Sequence, residues 1–66
     1  MAIIKVIEVL ANSETSWEDA TRKAVKQAGK TVKNIRSAWV SDQSVVVKDN
    51  DVTEFRVSLK ISFEIN

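Results

Sequence analysis

The chain is predicted to be an α+β protein of β-α-β-β order, in which a three-stranded antiparallel sheet partly wraps one helix. Three observations carry this. From Glu54 to Ile65, six apolar residues (Phe55, Val57, Leu59, Ile61, Phe63, Ile65) alternate strictly with six polar ones, which is the period of a strand with one oily and one wet face. Helical geometry would scatter the same apolar residues around a cylinder. Residues 16–33 alone offer a helical apolar stripe able to cover that oily face. Finally, Lys48-Asp49-Asn50-Asp51 separates two strand-like runs with turn-forming residue types.

Strand one is expected over Ile3–Leu10. Ile7 and Val9 share the helix-facing side with Lys5 at its end, while Ile4, Val6 and Leu10 make the other side apolar apart from Glu8. Such a strand is either covered on both faces or leaves some aliphatics in water. Asn12 to Ser16 is rich in helix-capping types. Thr15-Ser16-Trp17-Glu18 fits a capping box with Thr15 as the cap and Glu18 reaching back; Ser16 with Asp19 is the second register.

The helix is expected to run to about Val32. Trp17, Ala20, Ala24, Ala28 and Val32 fall on one side, with Val25 at the flank. The alanines let the helix sit close to a sheet that carries large side chains, and Trp17 reads as a packing anchor. Glu18–Arg22 and Asp19–Lys23 have the favourable i,i+4 order. Acid early and base late also suits the helix dipole, so the lysine-rich side reads as a solvated face rather than a nucleic-acid surface. Gly29 weakens the helix by about 1 kcal/mol relative to Ala, and Asn34 is a candidate left-handed terminator. Strand two follows over Ile35–Val47, with Ser37, Trp39, Ser41 and Gln43 alternating against Ala38 and Val40. Asp49-Asn50 is the expected two-residue hairpin loop.

Composition excludes more than it includes. The chain has 66 residues, no Cys, no His and a net charge of +1. Disulfides and the usual zinc sites are thereby ruled out. No imidazole or thiol is available for acid–base or nucleophilic chemistry, and no residue pair announces another mechanism, so the chain reads as a non-enzyme without catalytic or metal-ligating residues. Near-neutral charge gives no bulk argument for nucleic acid. The Ala2–Ile4 apolar run is interrupted by Lys5 and Glu8, too short for a signal peptide or a membrane span; a cytoplasmic location is expected.

Size then points to assembly. A domain this small is marginal alone, and without disulfides or metal the remaining remedy is oligomerisation. Lengths agree: a thirteen-residue strand extends about 43 Å, whereas sixteen helical residues cover about 24 Å. The Val45–Val47 end of the hairpin is left bare, and a bare apolar hairpin needs specified neighbours.

Beyond these readings, the β-α-β-β order, Lys5-Val6-Ile7, Thr15-Ser16, the Thr31-Val32-Lys33-Asn34-Ile35 crossing, Val40 with Asp42-Gln43, and the ending Leu59-Lys60-Ile61-Ser62-Phe63 together resemble the dodecin family. The resemblance spans residues 1–66 as a single domain and rests on order and spacing rather than on one motif. It implies a hollow homododecamer of cubic-type symmetry that binds a flavin, riboflavin or FMN, stacked in pairs between tryptophans of neighbouring subunits. The implied role is flavin sequestering, storage or buffering. The implied ligand-binding residues are Ser37, Trp39, Gln43 and Arg56.

The sequence departs from the family at two of these. Ser37 stands where the stacking tryptophan is usual, and Arg56 stands where a glutamine bonds the ring edge. Trp39, two residues on and on the same strand face, is either an aromatic platform moved by one pleat or an intersubunit packing residue. Arg56 either meets a ligand phosphate or pairs with Glu8 or Glu54. The alternative function is a dodecin-like structural shell that has lost flavin binding and holds ions or another small ligand; Asp42, Asp49, Asp51 and Glu54 are its candidate ion-gathering groups at a symmetry axis.

Overall fold

The computed structural model describes residues 3–65; Met1, Ala2 and Asn66, including the first residue of the N-terminal apolar run, lie outside the described residues. The elements are β1 (Ile3–Ser13), α1 (Trp17–Ala28), β2 (Ile35–Lys48) and β3 (Asp51–Ile65). β3 lies between β1 and β2 and pairs antiparallel with both. The most regularly alternating stretch of the sequence is thus the central strand. Its oily face meets the helix: Val57, Leu59 and Ile61 are fully buried with Ala20. Ile7, Val9, Ala11, Trp17, Ala24, Val25, Ala28 and Ile35 pack around them. A zero-exposure alanine at the helix contact is what lets large sheet side chains reach the helix backbone.

The β1–α1 junction is organised by Ser13, buried at the end of β1. Its hydroxyl oxygen accepts from the Thr15 N–H at 3.0 Å and donates to Asp19 Oδ2 at 2.6 Å. The first register expected for the cap is therefore corrected. Ser16, extended at φ −170° and ψ 165°, is the N-cap, and its hydroxyl accepts from the Asp19 N–H at 3.0 Å. Thr15 is occupied as the turn residue tied to Ser13, so no capping box with Glu18 forms.

The helix also ends earlier than periodicity implies, at Ala28 rather than near Val32. After Gly29 the chain tightens, with Lys30 donating to Gln27 and Thr31 to Ala28 before Val32 returns to Ala28. Gly29 is right-handed helical at φ −63°, so its contribution is low helix propensity, not a special conformation. Asn34 takes the left-handed geometry expected of it (φ 62°), but past this tight turn, where its carbonyl accepts from the Glu64 N–H at 3.0 Å. Asp49 and Asn50 both have positive φ, 51° and 66°. This is the primed two-residue turn whose twist matches the flanking strands.

The molecule is long and thin, 51 × 19 × 14 Å. A helix of twelve residues spans only about 18 Å of that length. Beyond it the hairpin is bare, with Val45, Val47 and Val52 exposed by 38%, 56% and 53%.

Candidate functional site

The sheet has a helix-covered face and a face that no element among the described residues covers. Register fixes which side chains share the open one. Across β1, β3 and β2 its rows read Val6–Ser62–Ser37, Glu8–Lys60–Trp39, Leu10–Ser58–Asp42 and Asn12–Arg56–Ser44. The β1 edge is an apolar ridge of Ile4, Val6 and Leu10, all exposed. The centre is polar, and Trp39, 47% exposed, stands on the β2 edge. An apolar ridge and a half-exposed indole on either side of a polar strip are surfaces expected to meet another molecule.

Ser37 and Trp39 do share this face, one pleat apart. Ser37 is exposed and bonded across the ladder: its Oγ lies 2.6 Å from Ser62 Oγ, and the Ser62 hydroxyl is close to Ser37 O as well, at 3.4 Å. Ser62 is only 6% exposed although it points away from the helix. Two short side chains bonded across a ladder leave a smooth, polar patch where an aromatic would project.

Arg56 lies on the same face but four residues along β3 from Lys60, the partner of Trp39, a separation of about 13 Å. Its Nε donates to Asn12 Oδ1 at 3.1 Å, and Asn12 Nδ2 donates in turn to Glu54 Oε1 at 3.4 Å. The direct pairing of Arg56 with Glu8 or Glu54 is replaced by this asparagine relay. Within one chain Trp39 and Arg56 do not meet; a site using both draws them from different copies.

Gln43 is placed differently from the simple alternation of β2. The strand carries an extra residue between Val40 and Asp42, so that Val40 pairs with Leu59 and Asp42 with the adjacent Ser58. One extra residue reverses the facing of everything after it. The bulge residue Ser41 is held by its hydroxyl donating to Ser58 O at 3.1 Å. Gln43 consequently pairs with Val57 and faces the helix side, where it shares a shallow depression with Ser16, Trp17, Thr21, Arg22 and Val40. It stands on the opposite face from Trp39. No motif in the sequence marks the bulge; only the ladder with β3 reveals it.

Trp17 is the other indole, and it is structural. Its ring sits edge-on to Phe55, with centroids 5.2 Å apart at 77°. Its Nε1 donates to Ser44 O at 3.0 Å, using a carbonyl of the edge strand. Both the apolar body and the polar tip are satisfied inside the chain.

Among the described residues, two ion pairs each join an exposed base to a half-buried carboxylate. Lys23 Nζ meets Asp19 Oδ2 at 2.9 Å, and Arg36 Nη2 meets Glu64 Oε2 at 3.0 Å. The Ser13 hydroxyl and then Lys23 hold the Asp19 carboxyl below its ordinary value. On the open face the carboxylates are Glu8, Asp42, Glu54 and the paired Glu64. Among the described residues no three carboxylates come together as a metal site. Calcium takes six to eight oxygens, more than any carboxylate grouping among the described residues supplies. Among the described residues no helix is long and apolar enough to cross a membrane.

Comparison with known proteins agrees with this architecture. The calcium dodecin of Mycobacterium tuberculosis is 37% identical over 65 residues, covering 98% of this chain and 92% of the relative. A solved structure of calcium dodecin from the same organism, described as having a calcium-binding site, superposes with a TM-score of 0.85 at 36% identity, over 97% of this chain and 91% of that one. Dodecin from Streptomyces coelicolor superposes with a TM-score of 0.93 at 26% identity, over 98% and 93%. The family model for dodecin matches residues 3–66. With the β-α-β-β order, the long hairpin and the single short helix all in place, the chain belongs to the dodecin family.

Proposed function

We propose that this protein is a self-assembling dodecin shell, a closed homododecamer, that holds divalent cations of the calcium class rather than acting as an enzyme. The observation that carries this reading is the hydrogen-bonded Ser37–Ser62 pair, two small side chains without an aromatic face, at the position where the family resemblance calls for a flavin-stacking tryptophan. Relatedness to a calcium dodecin supports the choice of cation. Because the described residues of one copy gather too few carboxylates, the oxygen donors come from several copies, with Glu8, Asp42 and Glu54 of the open face as contributors.

Cation binding and assembly are then linked. A ligand that binds only the assembled state stabilises it by RT ln(1 + [L]/Kd), about 2.7 kcal/mol per site at a hundredfold excess over Kd. Calorimetric titration of the chelator-stripped protein with calcium is expected to show saturable binding, with a higher thermal midpoint in calcium than in chelator. An intact assembly with a flat calorimetric trace and an unmoved midpoint at millimolar calcium refutes the cation reading and leaves the shell.

Trp39 supports a second reading, flavin sequestering. It is an aromatic platform on the open face, one pleat from the family's stacking position, and is 47% exposed in the single chain. Riboflavin or FMN stacked there would lose its fluorescence to the indole. Quenching at micromolar flavin that disappears in Trp39→Ala, with assembly retained, would favour this reading over the cation one.

A further inference from the structure

On the open face, small and large side chains meet around Trp39. Its indole, 47% exposed, rises from the β2 edge, and one pleat along β2 stands the exposed Ser37, bonded across the ladder to Ser62. Directly opposite Trp39 on β3 is the half-buried Lys60, with Cβ atoms about 5 Å apart. Ser58, the neighbour of Lys60 on this face of β3, is short and half-buried. A projecting ring beside hydroxyl side chains that do not project makes a step: an aromatic wall over a low polar floor, with an ammonium group at its foot. Trp17, by contrast, already has its ring against Phe55 and its N–H on Ser44 O. Among the described residues Trp39 has neither kind of partner.

The charges around this step decide what fits it. Among the described residues Lys60 makes no ion pair, although Glu8 stands opposite it on β1 and Asp42 lies one row along on β2. A ligand with a single negative charge meets Lys60 at short range. A phosphate dianion would meet the repulsion of both carboxylates with twice the charge and no second ammonium to offset it.

We propose that Trp39 and Lys60 form a binding site for a flat aromatic monocarboxylate. The ring stacks on the indole, the carboxylate meets the Lys60 ammonium, and the Ser37 and Ser58 hydroxyls lie beneath. The proposal goes beyond the flavin reading above and rests on it in one respect: Trp39 faces a ligand, not a neighbouring copy, in the assembled protein. It differs in what selects the ligand. A neutral ring system engages the indole alone, whereas here ring and charge are required together.

Fluorine NMR of the fluorotryptophan-labelled protein tests this, because the chain has two tryptophans and Trp39→Phe identifies the resonance of each. Naphthoate is expected to shift the Trp39 resonance saturably and to leave that of Trp17 in place. Naphthamide, the same ring without the charge, is expected to bind about tenfold more weakly. Lys60→Gln should lower naphthoate affinity by a similar factor, and Lys60→Arg should restore most of it. Sedimentation velocity checks that each variant assembles as the parent does; if Lys60→Gln does not, the comparison of acid and amide on the parent decides alone. A Trp39 resonance that ignores naphthoate overturns the proposal, as do equal shifts at both tryptophans. Equal affinity for acid and amide overturns it too, since Lys60 then plays no part. Riboflavin or FMN moving the Trp39 resonance where naphthoate does not refutes this site and leaves the flavin reading standing. Naphthoate binding without flavin binding does the reverse.

Discussion

The Ser37 and Ser62 hydroxyls lie 2.6 Å apart across β2 and β3, on the face of the sheet that the helix leaves open. A buried hydroxyl stripped of its partner loses roughly 1–3 kcal/mol, more than the net worth of the bond. Ser37→Ala removes one of the two partners of the buried Ser62 hydroxyl and is expected to lower unfolding stability by about 1 kcal/mol in denaturant titration, since Ser62 keeps the Ser37 carbonyl. If the patch is what keeps a flavin ring out, Ser37→Trp combined with Trp39→Glu should introduce flavin quenching that the parent lacks. No quenching in an assembled double variant would mean that other parts of the face exclude the ring.

Trp39 separates the two readings of the open face. In a cation-holding shell its indole is an intersubunit packing residue, and Trp39→Ala is expected to raise the concentration at which the assembly dissociates. Truncating a buried aromatic typically costs about 3–5 kcal/mol. Parent protein should show a flat fluorescence titration with flavin. Sedimentation of Trp39→Ala identical to parent would place the indole outside the subunit contacts.

The cap assignment has its own test. Ser16→Ala should destabilise by about 0.5–2 kcal/mol, since it leaves the Asp19 N–H without its acceptor. Thr15→Ala keeps the backbone N–H that Ser13 accepts, and is expected to fall within about 0.5 kcal/mol of parent. Denaturant midpoints at constant slope report both. The reverse order would return the cap to Thr15.

Asp19 links the same junction to pH. Its carboxyl is held below the ordinary value of 3.8, first by the Ser13 hydroxyl and then by Lys23. A depressed carboxylate contributes stability that is fully present above the unfolded value and is lost as pH falls through the folded one. Asp19→Asn should therefore be less stable than parent near neutrality, with the two acid-unfolding curves converging below the ordinary carboxylate range. Parallel curves across that range would show that the bond to Ser13 does not survive in solution.

Much of this protein was legible in its residues because the deciding physics is local. Period-two alternation made β3 a strand with one oily face; of the six apolar residues it names, Val57, Leu59 and Ile61 are fully buried, Phe55 and Phe63 are half-buried, and Ile65 stays exposed. Asp49-Asn50 specified a primed turn because both types tolerate positive φ. The helix stripe of Ala20, Ala24 and Ala28 followed from periodicity, and so did the mismatch between a short helix and a long hairpin. Even the family was readable, from the order and spacing of short segments.

What local pattern did not hold was decided by partners distant in sequence. The cap passed from Thr15 to Ser16 because Ser13, fixed at the end of β1 by its pairing with Phe55, claims the Thr15 N–H first. Gln43 left the face of Trp39 because the β2–β3 ladder accommodates Ser41 as an extra residue, and a single insertion reverses every later side chain. Arg56 found Asn12 because β3 runs between both other strands and sets the two residues opposite one another. Alternation and turn chemistry are properties of neighbouring residues, so the chain alone fixes them. Register, bulges and cross-strand bonds depend on which strands are brought side by side, and only the tertiary structure decides that.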